Sequence, residues 1–80
     1  MFKTLIKTDA VAMNGQQFAV RYFELRTMRG ARRYSAEIRL GPEDQIILDD
    51  DSVPYLETLA ALLVPATIYS RVLAARATAA

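Results

Sequence analysis

The sequence predicts an α+β fold, in which an antiparallel meander of three to four strands precedes one long C-terminal helix packed on one face of the sheet. Two patterns support this prediction. Up to about residue 50, the chain consists of β-prone runs separated by turn residues, and in the run 33–40 apolar and polar residues alternate with the period of two that is typical of half-buried strands. After residue 52, apolar residues recur every three or four positions, as in an amphipathic helix. With 80 residues and no linker or repeat, the whole chain, 1–80, is expected to form a single domain.

The strands are expected at about residues 2–8, 10–13, 17–27, 32–40 and 45–49. The fourth of these runs has the strictest alternation, with an apolar residue at every second position. Turn residues at 41–44 follow it and predict a hairpin. Asn14-Gly15 is the strongest short hairpin signal in the chain, and Gly30 is expected to adopt a positive φ in the turn between the third and fourth runs.

The helix is expected at about residues 53–77. The acidic run 49–51 and Ser52 place negative charge and capping oxygens before it, and Pro54 suits its first turn. Pro65 interrupts the pattern, because proline removes a hydrogen bond of the helix interior. We therefore expect a kink at Pro65, with two separate helices as the alternative.

The middle of this helix is apolar on every side. The eleven residues from Leu59 to Tyr69 carry no charge, so the sheet alone does not cover them. They fall short of the roughly 20 residues that span a bilayer, so no membrane insertion is expected. A small domain without cysteine has few other means of stabilisation, so we expect a homodimer. The predicted dimer interface consists of Leu59, Leu62, Leu63, Ala66, Tyr69 and Leu73.

Charge is distributed unevenly along the chain. Residues 1–40 hold eight Lys and Arg against three Asp and Glu, whereas residues 41–80 hold two against six. Arginine suits phosphate recognition, and bases stack on exposed aromatic rings. We therefore expect a non-enzymatic protein that binds single-stranded nucleic acid on the outer face of its sheet. The predicted binding residues are Arg26, Arg33, Arg39, Arg29, Arg32 and Tyr22.

This surface depends on the register of the second hairpin. If Thr27 lies opposite Arg32, then Phe23 and Leu25 face the core and Tyr22 faces outward. The same register places Arg21 toward the core and Arg26 across from Arg33, which indicates either a register slip or an anion bound between the two.

Two other interpretations of the chain stay open. An outer sheet face that is charged only for solubility explains the arginines equally well. The alternative function is a homodimeric protein–protein interaction module with no nucleic-acid activity, whose arginines or helix contact a protein partner.

Enzymatic chemistry is not expected. The chain has no histidine and no cysteine, which removes the commonest general base and the thiolate ligands. The acidic run 49–51 lacks the spacing of a calcium loop, and the three glycines are isolated, so neither a metal nor a nucleotide cofactor is expected. Residues 1–8 include two lysines and have no continuous apolar stretch of the signal-peptide kind, so a cytoplasmic location is expected.

Overall fold

The structure is a computed structural model that describes residues 2–79, with the side chains of residues 2–77. A four-stranded antiparallel sheet, in the order β1-β2-β3-β4, precedes one helix. The elements are β1 (Phe2–Met13), β2 (Gln16–Arg26), β3 (Arg32–Gly41), β4 (Asp44–Asp50) and α1 (Val53–Ala79). The predicted α+β class, with an antiparallel sheet followed by a C-terminal helix, is confirmed.

The first hairpin is longer than the sequence pattern indicates. The runs expected at 2–8 and 10–13 form one strand, β1, in which the register shifts between Leu5 and Lys7. This bulge interrupts the alternation of the sequence, because the extra residue is not paired across the ladder. Asn14 and Gly15 both have positive φ, 51° and 79°, as the predicted two-residue hairpin turn requires.

The second hairpin has a register one residue away from the expected one. Arg26, rather than Thr27, lies opposite Arg32, because the connecting loop comprises five residues, 27–31. In this loop Gly30 has the predicted positive φ, 80°, and its N–H donates to the carbonyl of Thr27 at 2.9 Å. A slip of one residue turns the whole of β2 over. The predicted outward position of Tyr22 is therefore wrong.

The core lies between one face of the sheet and one stripe of α1. Its buried residues are Phe18, Val20 and Tyr22 of β2, Ala36 and Ile38 of β3, and Leu56, Ala60 and Val64 of α1. The helix residues recur every four positions and so form a single stripe. Of the expected inward residues of β3, Ala36 and Ile38 are buried and Tyr34 and Leu40 are partly buried. The residues expected to face inward on β2, Phe23 and Leu25, face away from the helix.

Ion pairs hold α1 along the sheet. Glu57 accepts a hydrogen bond from the ammonium of Lys7 at 3.0 Å, which raises the pKa of that lysine. Farther along, the guanidinium of Arg71 lies 2.7 Å from the carboxylate of Asp44, where β4 begins. The helix therefore runs back over the sheet from the end of β4 to its start.

The helix extends past the start of β4. Its 27 residues span about 40 Å, whereas the seven residues of β4 span about 24 Å. Residues 72–77, beyond the ion pair of Arg71, are all exposed. Pro65 lies inside the continuous α1, so the chain forms one helix rather than the alternative of two.

Ser52 caps the start of α1. Its hydroxyl oxygen accepts a hydrogen bond from the N–H of Tyr55 at 3.3 Å. Replacing Ser52 with alanine removes this acceptor and is expected to lower the free energy of unfolding by about 1 kcal/mol. Urea denaturation measures the change, and Ser52→Asn, which keeps a capping oxygen, should lose only a small part of it. Equal losses in the two variants would contradict the capping role.

Candidate functional site

The face of the sheet turned away from α1 is uncovered, and it is called the open face here. Side chains of alternating residues on all four strands contribute to it. Its charged and larger apolar members are Lys3, Leu5, Arg21, Phe23, Leu25, Arg33, Glu37, Arg39, Ile47 and Asp49. Four cations therefore accompany two anions on this face.

Glu37 organises the cations at the centre of the open face. Its carboxylate lies 3.3 Å from the guanidinium of Arg21 and also accepts a hydrogen bond from the ammonium of Lys3. The side chain of Glu37 is only 12% exposed, whereas those of its two partners are half exposed. Exposed ion pairs contribute little to stability. Their effect here is to keep Lys3 and Arg21 on the open face.

Phe23 is the aromatic residue of this face. The Lys3 ammonium lies 4.3 Å from the centre of its ring, and the Arg21 guanidinium carbon lies 5.7 Å from it. Both distances are within the range of cation–π attraction. Phe23 therefore lies on the face where Tyr22 was predicted to lie, at the adjacent position of the same strand.

A concavity of about 240 Å³ lies on the open face between two arginines. It is lined by Ala19, Arg21, Glu37, Arg39 and Gln45. The guanidinium of Arg39 also donates to the backbone carbonyl of Pro42 at 3.0 Å. Two guanidinium groups on one concavity offer the forked donor geometry that binds phosphate. This concavity brings the two guanidinium groups and the carboxylate of Glu37 together on the open face.

Tyr22 lies under the helix instead. It is 2% exposed, and burial raises the pKa of its hydroxyl, with the nearby carboxylates of Glu57 and Asp9 adding to the rise. The ammonium of Lys7 lies 5.5 Å from the centre of its ring on this side of the sheet. A base cannot reach that ring while α1 is docked. The predicted stacking role of Tyr22 is therefore wrong.

The predicted arginines are divided among three places. Arg33 and Arg39 lie on the open face, Arg29 is exposed in the loop 27–31, and Arg26 and Arg32 point to the helix side. On that side the carboxylate of Glu24 lies 2.8 Å from Arg26 and 3.9 Å from Arg32.

Glu24 explains how two like charges lie side by side. The hydrogen bond from Arg26 lowers the pKa of the Glu24 carboxyl, and the charges of Arg26 and Arg32 lower it further. The ionised carboxylate offsets the repulsion between the arginines, so no external anion is needed there.

A second candidate surface is the stripe of α1 turned away from the sheet. We call it the helix seam, and it consists of Tyr55, Leu59, Leu62, Ala66, Tyr69 and Leu73. Leu62 and Tyr69 are 65% and 64% exposed. Of the residues predicted for a dimer interface, only Leu63 lies outside the seam, half-buried at its edge.

By length and composition alone, the segment Val53–Ala77 is apolar enough to cross a membrane, and 11% of its most apolar stretch is buried. The buried part is the stripe that packs on the sheet. A helix that crossed a bilayer would have to leave Val20 and Ile38 uncovered, which would cost the core much of its apolar burial.

Neither a metal centre nor a known relative supplies a function. Within residues 2–79, no group of three or more His, Cys, Asp or Glu side chains is placed to hold a metal ion. No family model, curated protein or solved structure matches the chain. Function is therefore argued from the open face and the helix seam.

Proposed function

We propose that this chain is a non-enzymatic binding protein that takes single-stranded nucleic acid on the open face of its sheet. The observation that carries the proposal is the concavity that Arg21 and Arg39 line on an uncovered face with an excess of cations. Uncovered sheet faces that combine cations with aromatic rings suit unpaired strands, because phosphates and base faces are both accessible.

The arginines of β3 set the length of the contact. Arg33 and Arg39 are six positions apart on one strand, a span of about 20 Å, which several nucleotides of an extended strand would cover. In this arrangement phosphates lie at the concavity and at Arg33. Phe23 offers a ring to a base between them once the ammonium of Lys3 moves from the ring to a phosphate.

The experiment is a fluorescence-anisotropy titration of labelled single-stranded and duplex oligonucleotides at about 50 and 200 mM salt. Over this range added salt weakens binding measurably, and the loss grows with the number of phosphates that the protein neutralises. We expect tighter binding to the single strand. Replacing Arg33 and Arg39 with glutamine is expected to reduce the slope of log K against log salt by about 1.4, since each contact with a single strand contributes about 0.7.

The matched control replaces Arg26 and Arg32 with glutamine, because it removes the same charge from the helix side of the sheet. This control should bind with a nearly unchanged salt slope. An equal reduction in both double variants would show that net charge alone drives binding. Absence of binding by the original chain at the lower salt concentration would overturn the proposal.

A specific observation favours a second candidate function, that of a homodimeric interaction module. The helix seam is an apolar stripe that the sheet does not cover, and an exposed stripe of this extent is typical of an interaction surface. We propose that a second copy covers it and that the dimer is cytoplasmic. The kink expected at Pro65 stays a prediction. The two candidates are compatible, because the seam and the open face lie on opposite sides of the molecule.

A further inference from the structure

We propose that two copies of this chain pair antiparallel through the helix seam, with Tyr55 of one copy against Leu73 of the other. The proposal rests on the second candidate function and deepens it, because it fixes the orientation and alignment of the pair. It does not depend on nucleic-acid binding. Three features of α1 carry it: the spacing of the seam, the size of the side chains along it, and the charge at its two ends.

The seam has the spacing of helices that pack side by side. Its six members are separated alternately by four and three positions, so that two members recur every seven residues, which is the heptad spacing that keeps one stripe facing a partner helix. The buried stripe of the same helix recurs every four positions and follows the sheet instead. One helix therefore has two apolar stripes with different periods, and only one of them is covered in the single chain.

Side-chain size selects the alignment. In the proposed pairing, Leu62 of each copy faces Ala66 of the other, and Leu59 faces Tyr69, so every seam residue meets an apolar partner. The small Ala66 accommodates the larger leucine near the two-fold axis. Sliding one helix by seven residues would place the charged Arg76 against Leu59. The proposed alignment keeps charge out of the seam and gives all six seam residues an apolar partner, whereas a slide of seven residues in the other direction would pair only four of them.

Charge selects the orientation. Asp50, which faces the helix side of the sheet, and Asp51 lie just before α1, and Arg76 lies in its last turn. Antiparallel pairing brings Arg76 of each copy to the acidic start of the other, and it also opposes the two helix dipoles. Parallel pairing would place like charges together at both ends.

The same charges disfavour a lipid surface as the partner that covers the helix seam. An anionic membrane that covered the seam would meet Asp50 and Asp51 at one end of the helix and would be repelled there. Val72 and Leu73, just beyond the ion pair of Arg71, are exposed in the single chain, and the proposed pairing covers Leu73 with the start of the second helix.

The pairing fixes where the two sheets lie. Because the seam and the buried stripe are on opposite sides of α1, the dimer has four layers in the order sheet, helix, helix, sheet. The two open faces are then the outer surfaces, and each is fully accessible.

Cysteine cross-linking tests the orientation, because the chain contains no cysteine of its own. Tyr55→Cys and Leu73→Cys lie at the two ends of the seam and leave its centre intact. We expect a disulfide-linked dimer to form on mild oxidation of the two variants mixed together. Neither variant alone should form one, since equal positions lie about 27 Å apart in the antiparallel pair and a disulfide needs Cα atoms within about 7 Å.

Controls make each result informative. A mixture of Ala61→Cys and Leu73→Cys, in which the first cysteine lies outside the seam, should remain uncross-linked. Disulfide-linked dimers formed by either variant on its own would show that the two helices pair in parallel, and this result would overturn the proposal. A monomer in sedimentation velocity, or a chain that floats with anionic phospholipid vesicles and does not cross-link, would overturn it as well. None of these results bears on the oligonucleotide titration, so the two proposals fail independently.

Discussion

Replacing Leu62 with aspartate is expected to convert the dimer into a folded monomer, with a dissociation constant raised roughly 100-fold or more. In the single chain Leu62 is largely exposed, so a carboxylate there stays hydrated and costs the fold little. In the paired seam the same position is covered by the second helix. Two carboxylates per dimer would then lose their hydration without gaining a partner.

Sedimentation equilibrium measures this dissociation, and circular dichroism checks that the variant stays folded. The matched control is Ala61→Asp, which introduces the same charge at an exposed position of the same helical turn but outside the seam. The control should remain dimeric. A dimer that tolerates Leu62→Asp, or that is weakened equally by Ala61→Asp, would contradict the assignment of the seam. Leu63 is a poorer test site, because it is half-buried and its substitution would also disturb the fold.

The elements of this fold are largely predictable from sequence because each depends on a local signal. The alternation of β3, the turn at Asn14-Gly15 and the acidic run before Ser52 act within a few residues, and the structure has each element near its expected place. The join of the two runs in β1 is less predictable. The predicted break fell at Asp9, a residue type that is depleted in strands, but Asp9 is paired with Val20 inside β1.

The register of β2 against β3 was not predictable in the same way. It depends on whether the loop has four or five residues, and Thr27 and Ala31 have no strong preference that decides between them. The backbone hydrogen bond from Thr27 to Ala31 includes both residues in the loop. The sequence did contain one signal, because the expected register placed Arg21 toward the core. A buried, unpaired guanidinium is costly, so the position of Arg21 favoured the slipped register.

The error of one residue in the register between β2 and β3 determines how much of the candidate site could be predicted. The β3 half of the open face, with Arg33 and Arg39, was assigned to the right side because the alternation of that strand is strict. The β2 half was assigned to the wrong side, so Tyr22 was included, and Phe23 and Arg21 were missed. Lys3 was missed as well, since its place beside Phe23 follows only once β1 is paired with β2.

The helix seam was predictable for a different reason. An uncharged stretch within a helix limits which faces the sheet can cover, so exposure of its outer stripe follows from composition and period alone. What covers that stripe does not follow from composition. To argue what covers it, the stripe that packs on the sheet must first be distinguished from the exposed stripe. The burial of Leu56, Ala60 and Val64 in the structure makes this distinction.

Alanine substitutions at Tyr22 and Phe23 are expected to have very different effects on stability. Tyr22→Ala should lower the free energy of unfolding by about 3 kcal/mol or more, because it removes a large ring from the sealed core. Phe23→Ala should cost less, about 1 kcal/mol, because that ring is only partly buried on the open face, where the cations of Lys3 and Arg21 lie over it. For a chain of this size the first loss is a large part of a total of about 4–12 kcal/mol.

The two adjacent positions serve as controls for each other, and urea denaturation at one fixed protein concentration compares them. The concentration is fixed because dimerisation would add to the apparent stability of each variant. The alternative register reverses the order of the two losses, since it places Phe23 beneath the helix and Tyr22 outside. A larger loss for Phe23→Ala would therefore restore the four-residue loop and remove Arg21 from the open face. The concavity between Arg21 and Arg39 would then not exist, and the proposed nucleic-acid site would lose the observation that carries it.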